Sequence, residues 1–196
     1  MSHYYYYYDK KTKSNEKEIS STVNNNKYLF ITDNGVFSKN KIDFGTRLLL
    51  NEIDIDGPRK IVDYGCGYGV IGIVLKKKYP EAQLFFVDSN RRAVELTKKN
   101  VINNKFDANV FQSESLDFLD SEVDLIVINP PIKSGKKNIF SMYNRSFRAL
   151  SKNGSLYIVI KKKHGANSSE KYLRQIFSDV ALKKKKNGYY IYKAIK

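Results

Sequence analysis

Cysteine is almost missing from this chain of 196 residues: Cys66 is the only one. No intramolecular disulfide can form, and a reducing, cytoplasmic setting is expected. Histidine is nearly as scarce, with only His3 and His164. They form no ligand cluster with the single thiol, so no metal is expected. No apolar run approaches the ~20 residues that a membrane-spanning helix needs. The start, Met1-Ser2-His3-Tyr4, has neither a basic segment nor an apolar stretch, so no secretory leader is expected. Acids are also short, 20 against 35 Lys and Arg, which leaves a formal charge of +15. Such an excess favours a polyanionic partner, whose phosphates it neutralises with release of counterions. The densest runs are Lys76–Lys78, Lys161–Lys163 and Lys183–Lys186. A solvated lysine-rich surface accounts for the same composition, and charge does not separate RNA from DNA.

With 41% hydrophobic residues, the chain is globular rather than disordered and long enough for one α/β domain. Residues 1–26 are polar and rich in tyrosine, and read as an N-terminal arm free to be flexible. The Tyr4–Tyr8 run in it reads as a tail, an edge strand or a base-stacking arm. Residues 27–196 read as one domain. Lys27 to Thr32 is expected as a strand, Asp33-Asn34-Gly35 as a turn, and Asp43 as the cap of a short helix. Strands and helices then alternate: strand Lys60 to Tyr64, helix Val70 to Tyr79, strand Gln83 to Val87, helix Arg91 to Ile102. The helix at 91–102 carries Val94, Leu96, Thr97, Val101 and Ile102 along one side. Strands follow at Asn109 to Gln112 and Asp124 to Ile128, the latter apolar enough for burial on both faces. A helix from Ile139 to Leu150 is expected to end at Lys152-Asn153-Gly154. A strand spans Ser155 to Ile160 and a helix Ser169 to Phe177. A hairpin turning at Lys186-Asn187-Gly188 closes the chain. This alternation predicts a mostly parallel sheet with helices on both faces.

Two loops carry the chemistry. Asp63-Tyr64-Gly65-Cys66-Gly67-Tyr68-Gly69 follows the first buried strand, where open α/β sheets bind ligands. Its continuation, Gly67-Tyr68-Gly69-Val70-Ile71-Gly72, also fits the dinucleotide pattern. Asp63 argues against that reading. Near a pyrophosphate a carboxylate there is unfavourable, whereas it suits the cationic amino-acid end of S-adenosylmethionine (SAM). Asp88, ending the next strand, is placed to accept from two ribose hydroxyls in either cofactor class. Glu114 reads as an acceptor for an adenine amino group or as a surface loop acid. Cys66, within the loop, reads as a small buried thiol. The second loop is Asn129-Pro130-Pro131-Ile132, after the run Val123 to Ile128. Two prolines remove two backbone donors and leave carbonyls on show. With the Asn129 side chain, they offer converging acceptors for a planar amino group, which turns its lone pair towards a methyl donor. A rigid turn ending a buried strand explains the prolines but not the asparagine.

The glycine loop with Asp63, Asp88 and Asn129-Pro130-Pro131-Ile132 resembles SAM-dependent N-methyltransferases of the Asn-Pro-Pro-Tyr type. Gly35-Val36-Phe37-Ser38 and Ile42-Asp43-Phe44-Gly45-Thr46-Arg47-Leu48-Leu49-Leu50 narrow the resemblance to the RsmC-like small-subunit ribosomal RNA guanine-N2 methyltransferases, in a short, single-domain form. The similarity runs from about Tyr4 to the C-terminus. It implies a Rossmann-like class I SAM-dependent methyltransferase fold, a seven-stranded, mostly parallel sheet with a terminal antiparallel hairpin strand. It implies methyl transfer to the exocyclic N2 of a guanine, with ribosomal RNA or the ribosomal subunit as partner. Carried over by position, Asn129 and Pro130 hold the amino group, with Pro131 and Ile132 completing the catalytic loop. Asp63, Gly65, Cys66, Gly67, Asp88, Ser89, Glu114 and Ser115 hold SAM with Asn129, and Phe37 and Asp43 line the site from the N-terminal side. The sequence departs from the pattern at Ile132, where many such enzymes stack an aromatic on the target base. Phe37, Phe140 and Tyr143 are the candidates to replace it. A glutamine-N5 protein methyltransferase shares the same loop. A DNA amino-methyltransferase, a SAM-binding RNA module with little catalysis and a nicotinamide oxidoreductase are the other readings. Lys161–Lys163 and His164 fall at the ligand end of the sheet, as phosphate contacts or as a solvated loop.

Overall fold

Apolar residues that alternate in register set the architecture. A computed structural model describes residues 12–119 and 121–196, so the Tyr4–Tyr8 run lies outside the described residues. The central strands are β3 (Lys60–Tyr64), β4 (Gln83–Asp88), β5 (Asn109–Gln112), β6 (Val123–Ile128) and β7 (Leu150–Lys161). They pair in parallel, and β8 (Asp179–Lys186) and β9 (Tyr189–Ile195) complete a seven-stranded sheet in the order β5-β4-β3-β6-β7-β9-β8. Strand β9 runs antiparallel to both its neighbours and fills the slot between β7 and β8. This is the class I methyltransferase sheet that the motifs imply.

Alternate residues of each strand face opposite ways. Ile61, Phe86, Val127 and Val159 pack against α1 (Phe44–Glu52), α2 (Val70–Lys78) and α3 (Arg91–Asn103). Val62, Val87, Ile126 and Ile158 pack against α4 (Lys136–Ala149) and α5 (Ala166–Ile176). Strand order reverses between β3 and β6, so the loops after those two strands open on one crevice at the carboxyl edge of the sheet. No helix of the described residues is long and apolar enough to cross a membrane.

Three local expectations differ. Residues 17–23, placed in the arm by sequence, form β1 (Lys17–Val23), paired in antiparallel register with β2 (Asn26–Thr32). Ile19, Ser21 and Val23 alternate inward, but two small apolar positions among Ser, Thr and Lys give a weak period-2 signal. Asn24 and Asn25, both at positive φ, make the tight turn. The hairpin is clamped to α3 by Asn100, whose side chain accepts from Ile31 N (2.6 Å) and donates to Ile31 O (2.8 Å) and Tyr68 O (2.8 Å). Second, Lys152-Asn153-Gly154 is no helix-ending loop. Helix α4 passes directly into β7, and the three residues form an irregularity in that strand where its register with β6 shifts. Third, Ile102 is 73% exposed. Near the end of α3 it points outward, away from the buried side that holds Val94, Thr97 and Val101.

Candidate active site

After β3 the chain turns through Gly65 (φ 78°), Gly67 (φ 60°) and Gly69 (φ 90°), a left-handed path that side chains resist. The backbone N–H groups of Gly65 and Cys66 both donate to Val87 O, at 2.7 and 3.2 Å, which stitches the loop to the end of β4. Gly67 N donates to Asp88 Oδ2 at 2.9 Å, and Asn90 N to Asp88 Oδ1 at 2.8 Å. Loop and acid are thus one unit. The carboxylate keeps further acceptor capacity for a ligand in the crevice it lines. Burial pushes Asp88 up to about 6, against the opposing pull of its backbone donors. Gly72 serves packing: a Cβ there would lie 2.2 Å from Phe86 Cε1, so α2 can rest on β4 only with glycine at this position.

Asp63 takes another place than the sequence suggests. It shares the parity of Ile61 and therefore faces α2. It is fully buried, does not line the crevice, and accepts from Gly72 N at 2.9 Å through Oδ2. Its Oδ1 is buried without a partner among the described residues. Burial, and secondarily the charge of Asp88, pushes it up to about 7, although the Gly72 N–H opposes.

The Asn-Pro-Pro loop follows β6. Asn129 Nδ2 donates to Thr46 Oγ1 at 2.9 Å, which fixes the amide with Oδ1 as its remaining acceptor. Thr46 sits in the first turn of α1, capped by Asp43. Asp43 Oδ2 accepts from Gly45 N (2.8 Å) and Thr46 N (3.3 Å), and its Oδ1 from Tyr189 OH (3.2 Å). Asp43 lines the crevice as expected, but its carboxylate is engaged in holding α1 against β9. The Pro131 carbonyl is taken by Ser134 N (2.9 Å) and Ser134 Oγ (2.7 Å), forming the short turn Ile132–Ser134. The Pro130 carbonyl accepts no hydrogen bond among the described residues. Asn129 Oδ1 and Pro130 O are therefore the two acceptors left at the mouth of β6.

The crevice holds about 420 Å³, within the range of small-molecule sites. It brings together Phe37, Asp43, Gly65, Cys66, Gly67, Asp88, Ser89, Glu114 and Asn129 to Ile132. Ser115 is not on its wall: its Oγ accepts from Asp117 N at 3.2 Å as a turn residue, and Ser113 lines the space instead. Cys66 is buried with Sγ 3.5 Å from Thr97 Oγ1, and burial pushes its thiol well up. Of the three aromatic candidates only Phe37, 50% exposed, faces the crevice. Tyr143 is buried and donates to Ser169 Oγ at 3.2 Å, and Phe140 stacks on Tyr172 with centroids 4.0 Å apart. The segment carrying Phe37 is held by Asn90 Nδ2 to Gly35 O (3.1 Å) and Tyr68 OH to Ser38 O (3.3 Å). Lys133, Lys161, His164 and Tyr189 close the far wall. Thr46, Ser113 and Tyr189 were not legible as site residues. Thr46 could have been found, three residues after a recognisable cap. Nothing in the sequence marks the Tyr189 contact.

Comparison with known proteins adds to this geometry. The family described as methyltransferase small domain matches residues 27–193. The uncharacterized protein YbxB of Bacillus subtilis is 39% identical over 183 residues, spanning 90% of each chain. The ribosomal RNA small subunit methyltransferase C of Haemophilus influenzae is 35% identical over 152 residues. That match takes in 74% of this chain but 44% of the relative, so the chain spans less than half of that enzyme's length. Among solved structures, the T. thermophilus 16S rRNA N2 G1207 methyltransferase, in complex with AdoMet and guanosine, superposes with a TM-score of 0.83. It is 23% identical, and the superposition covers 92% of this chain and 50% of that one.

Proposed function

The chain belongs to the methyltransferase small-domain family, and on that premise we propose that it transfers the methyl group of SAM to the exocyclic N2 of a guanine in small-subunit ribosomal RNA. The observation that carries the reading is the Asn129 amide, pinned through Nδ2 on Thr46 so that its oxygen and the Pro130 carbonyl form an acceptor pair beside the glycine loop. SAM, when bound, supplies an electrophilic methyl on a sulfonium. The crevice fits it in volume and in the Asp88 carboxylate placed for hydroxyl donors, with the Asp63 carboxyl, ionised above about pH 7, buried below the loop.

Asn129 Oδ1 and Pro130 O accept the two amino hydrogens, which draws the nitrogen lone pair out of conjugation and aims it at the methyl carbon. The new N–C bond forms as the S–C bond breaks, and the nitrogen sheds one proton to solvent. The protein contributes position and fixed dipoles, a kind of contribution that reaches several kcal/mol. Phe37 is the aromatic on the wall for the base, which must leave its stack to reach the crevice. A charge of +15 favours the polyanionic substrate. The test is transfer of labelled methyl from SAM to unmodified small subunits and to free small-subunit RNA, followed by nucleoside analysis. Label in N2-methylguanosine is the expected result. Label in a glutamine side chain of a protein would replace this reading.

A further inference from the structure

The walls of the crevice differ in charge. Asp88 and Glu114 stand at the ends of β4 and β5, whereas Lys133, Lys161 and His164 stand at the ends of β6 and β7. Lysines continue outward from the second side. Lys161 faces Tyr189 across the β7–β9 ladder, and Lys186 faces the same Tyr189 across the β8–β9 ladder. Lys161 and Lys186 are thus two strands apart, roughly 10 Å by strand spacing. Lys162 and Lys163 follow in the turn after β7, and Lys162 N donates to Gly188 O at 2.8 Å, so turn and hairpin form one frame. Lys161 Nζ lies 4.6 Å from the Tyr189 ring centroid and Lys185 Nζ 4.9 Å from that of Tyr190. None of Lys161, Lys162, Lys163, Lys185 and Lys186 pairs with a carboxylate among the described residues.

The run Lys76–Lys78 behaves differently. Lys76 donates to the carbonyls of Pro80 (2.6 Å) and Ala82 (2.9 Å), Lys78 to that of Ile53 (2.5 Å), and Lys77 lies over the Tyr28 ring. Those lysines close the carboxyl end of α2 and tie it to its surroundings. Lys161 and Lys185 also rest on rings, but none of Lys161, Lys162, Lys163, Lys185 and Lys186 donates its ammonium to a backbone carbonyl among the described residues, as Lys76 and Lys78 do.

We propose that Lys161 to Lys163 and Lys185 to Lys186 hold the phosphates flanking the target nucleotide, so that a single-stranded RNA segment leaves the crevice over the β7–β9–β8 edge of the sheet. The exposed rings of Phe37 and Phe44 (50% and 38%) and the Tyr189 ring packed on Phe44 add aromatic surface to the same mouth, a combination that suits unpaired nucleotides. The inference rests on the RNA reading above.

Its test compares two variants of equal charge. One carries Lys→Ala at 162, 163, 185 and 186. The other carries Lys→Ala at 27, 98, 105 and 152, all exposed and away from the mouth. Binding of a labelled, mixed-sequence single-stranded RNA is followed by anisotropy across a salt series, beside SAM affinity and methyl transfer to small-subunit RNA. Each phosphate contact contributes about 0.7 to the slope of log K against log salt. The mouth variant should lose about 3 in slope with SAM affinity unchanged, and the control variant almost nothing. Equal losses in both, or no loss in either, would overturn the inference while RNA methylation by the wild type left the function standing. Absence of RNA methylation by the wild type overturns the function itself, and the inference with it.

Discussion

Replacing Asp63 with Asn should change the sign of its effect on stability between pH 4 and pH 8. In the folded chain this carboxyl is pushed from 3.8 to about 7, chiefly by burial. The fold therefore holds its proton more tightly than the unfolded chain does. The associated stability is fully present below the unfolded value, declines as pH rises from about 4, and is lost above about 7. The gap amounts to roughly 4 kcal/mol at about 1.36 kcal/mol per decade. Asn keeps the acceptor for Gly72 N–H but sets an amide nitrogen where Oδ1 now lies without a partner, a cost of about 1–3 kcal/mol. The variant should be the more stable protein at pH 8 by about 1–3 kcal/mol and the less stable one at pH 4. For a domain of this size each kcal/mol moves Tm by about 2–4 °C, so denaturation at constant ionic strength resolves the crossing. Asp88, pushed up to about 6, acts in the same direction in both proteins, and its repulsion with Asp63 is already part of the rise of that carboxyl. His164 is exposed and shifted down, and it cancels in the comparison. A difference between variant and wild type that is the same at pH 4 and pH 8 would refute the account. Saturating SAM, whose cationic end favours the ionised carboxyl of the wild type, should move the crossing to higher pH.

Other expected outcomes concern the site directly. Asn129→Ala should lower kcat by about 10²–10³ with SAM affinity retained, measured by single-turnover transfer beside calorimetric binding. Wild-type turnover in that variant would remove the proposed mechanism. Thr46→Val frees the Asn129 amide to rotate and should cost kcat about 10-fold, with activity restored in Thr46→Ser and the melting point unchanged in both. Asp88→Ala should weaken SAM binding about 10- to 100-fold through loss of charged acceptors, with kcat at saturating SAM affected much less. Gly72→Ala drives a Cβ to 2.2 Å from Phe86 Cε1, and the overpacking should destabilise by about 1–3 kcal/mol or more, visible as a lowered melting point.

Much of the fold was legible because its signals are local. Lys60–Tyr64 is a short apolar run followed by glycines, and Val123–Ile128 a buried run followed by Pro-Pro, so both strands and both loops announce themselves within a few residues. Strand β1 was hidden because its inward positions include Ser21 beside Ile19 and Val23, and its place comes from pairing with β2, which docks on α3, rather than from its own composition. The α4–β7 junction was misread because Asn153 and Gly154 signal a helix stop equally well as a strand irregularity. Ile102 was misplaced because positions 101 and 102 both fall near the apolar side, and only the packing shows which one is covered.

The sequence by itself determined the parallel sheet, the crevice between β3 and β6, the glycine loop and the acceptor-rich loop beside it. Each rests on residues adjacent in the chain, whose backbone preferences act without help. Only the tertiary structure decided what those residues are free to do. Asn129 has its oxygen left over because Thr46, 83 positions away, accepts its Nδ2–H. Asp43 is engaged because Tyr189, 146 positions away, donates to it. Asp63 turned to α2 instead of the crevice, and Phe37 rather than Phe140 or Tyr143 reached the wall. A side chain's remaining hydrogen-bonding capacity and exposure depend on which distant segments pack against it, and the local sequence does not carry that information.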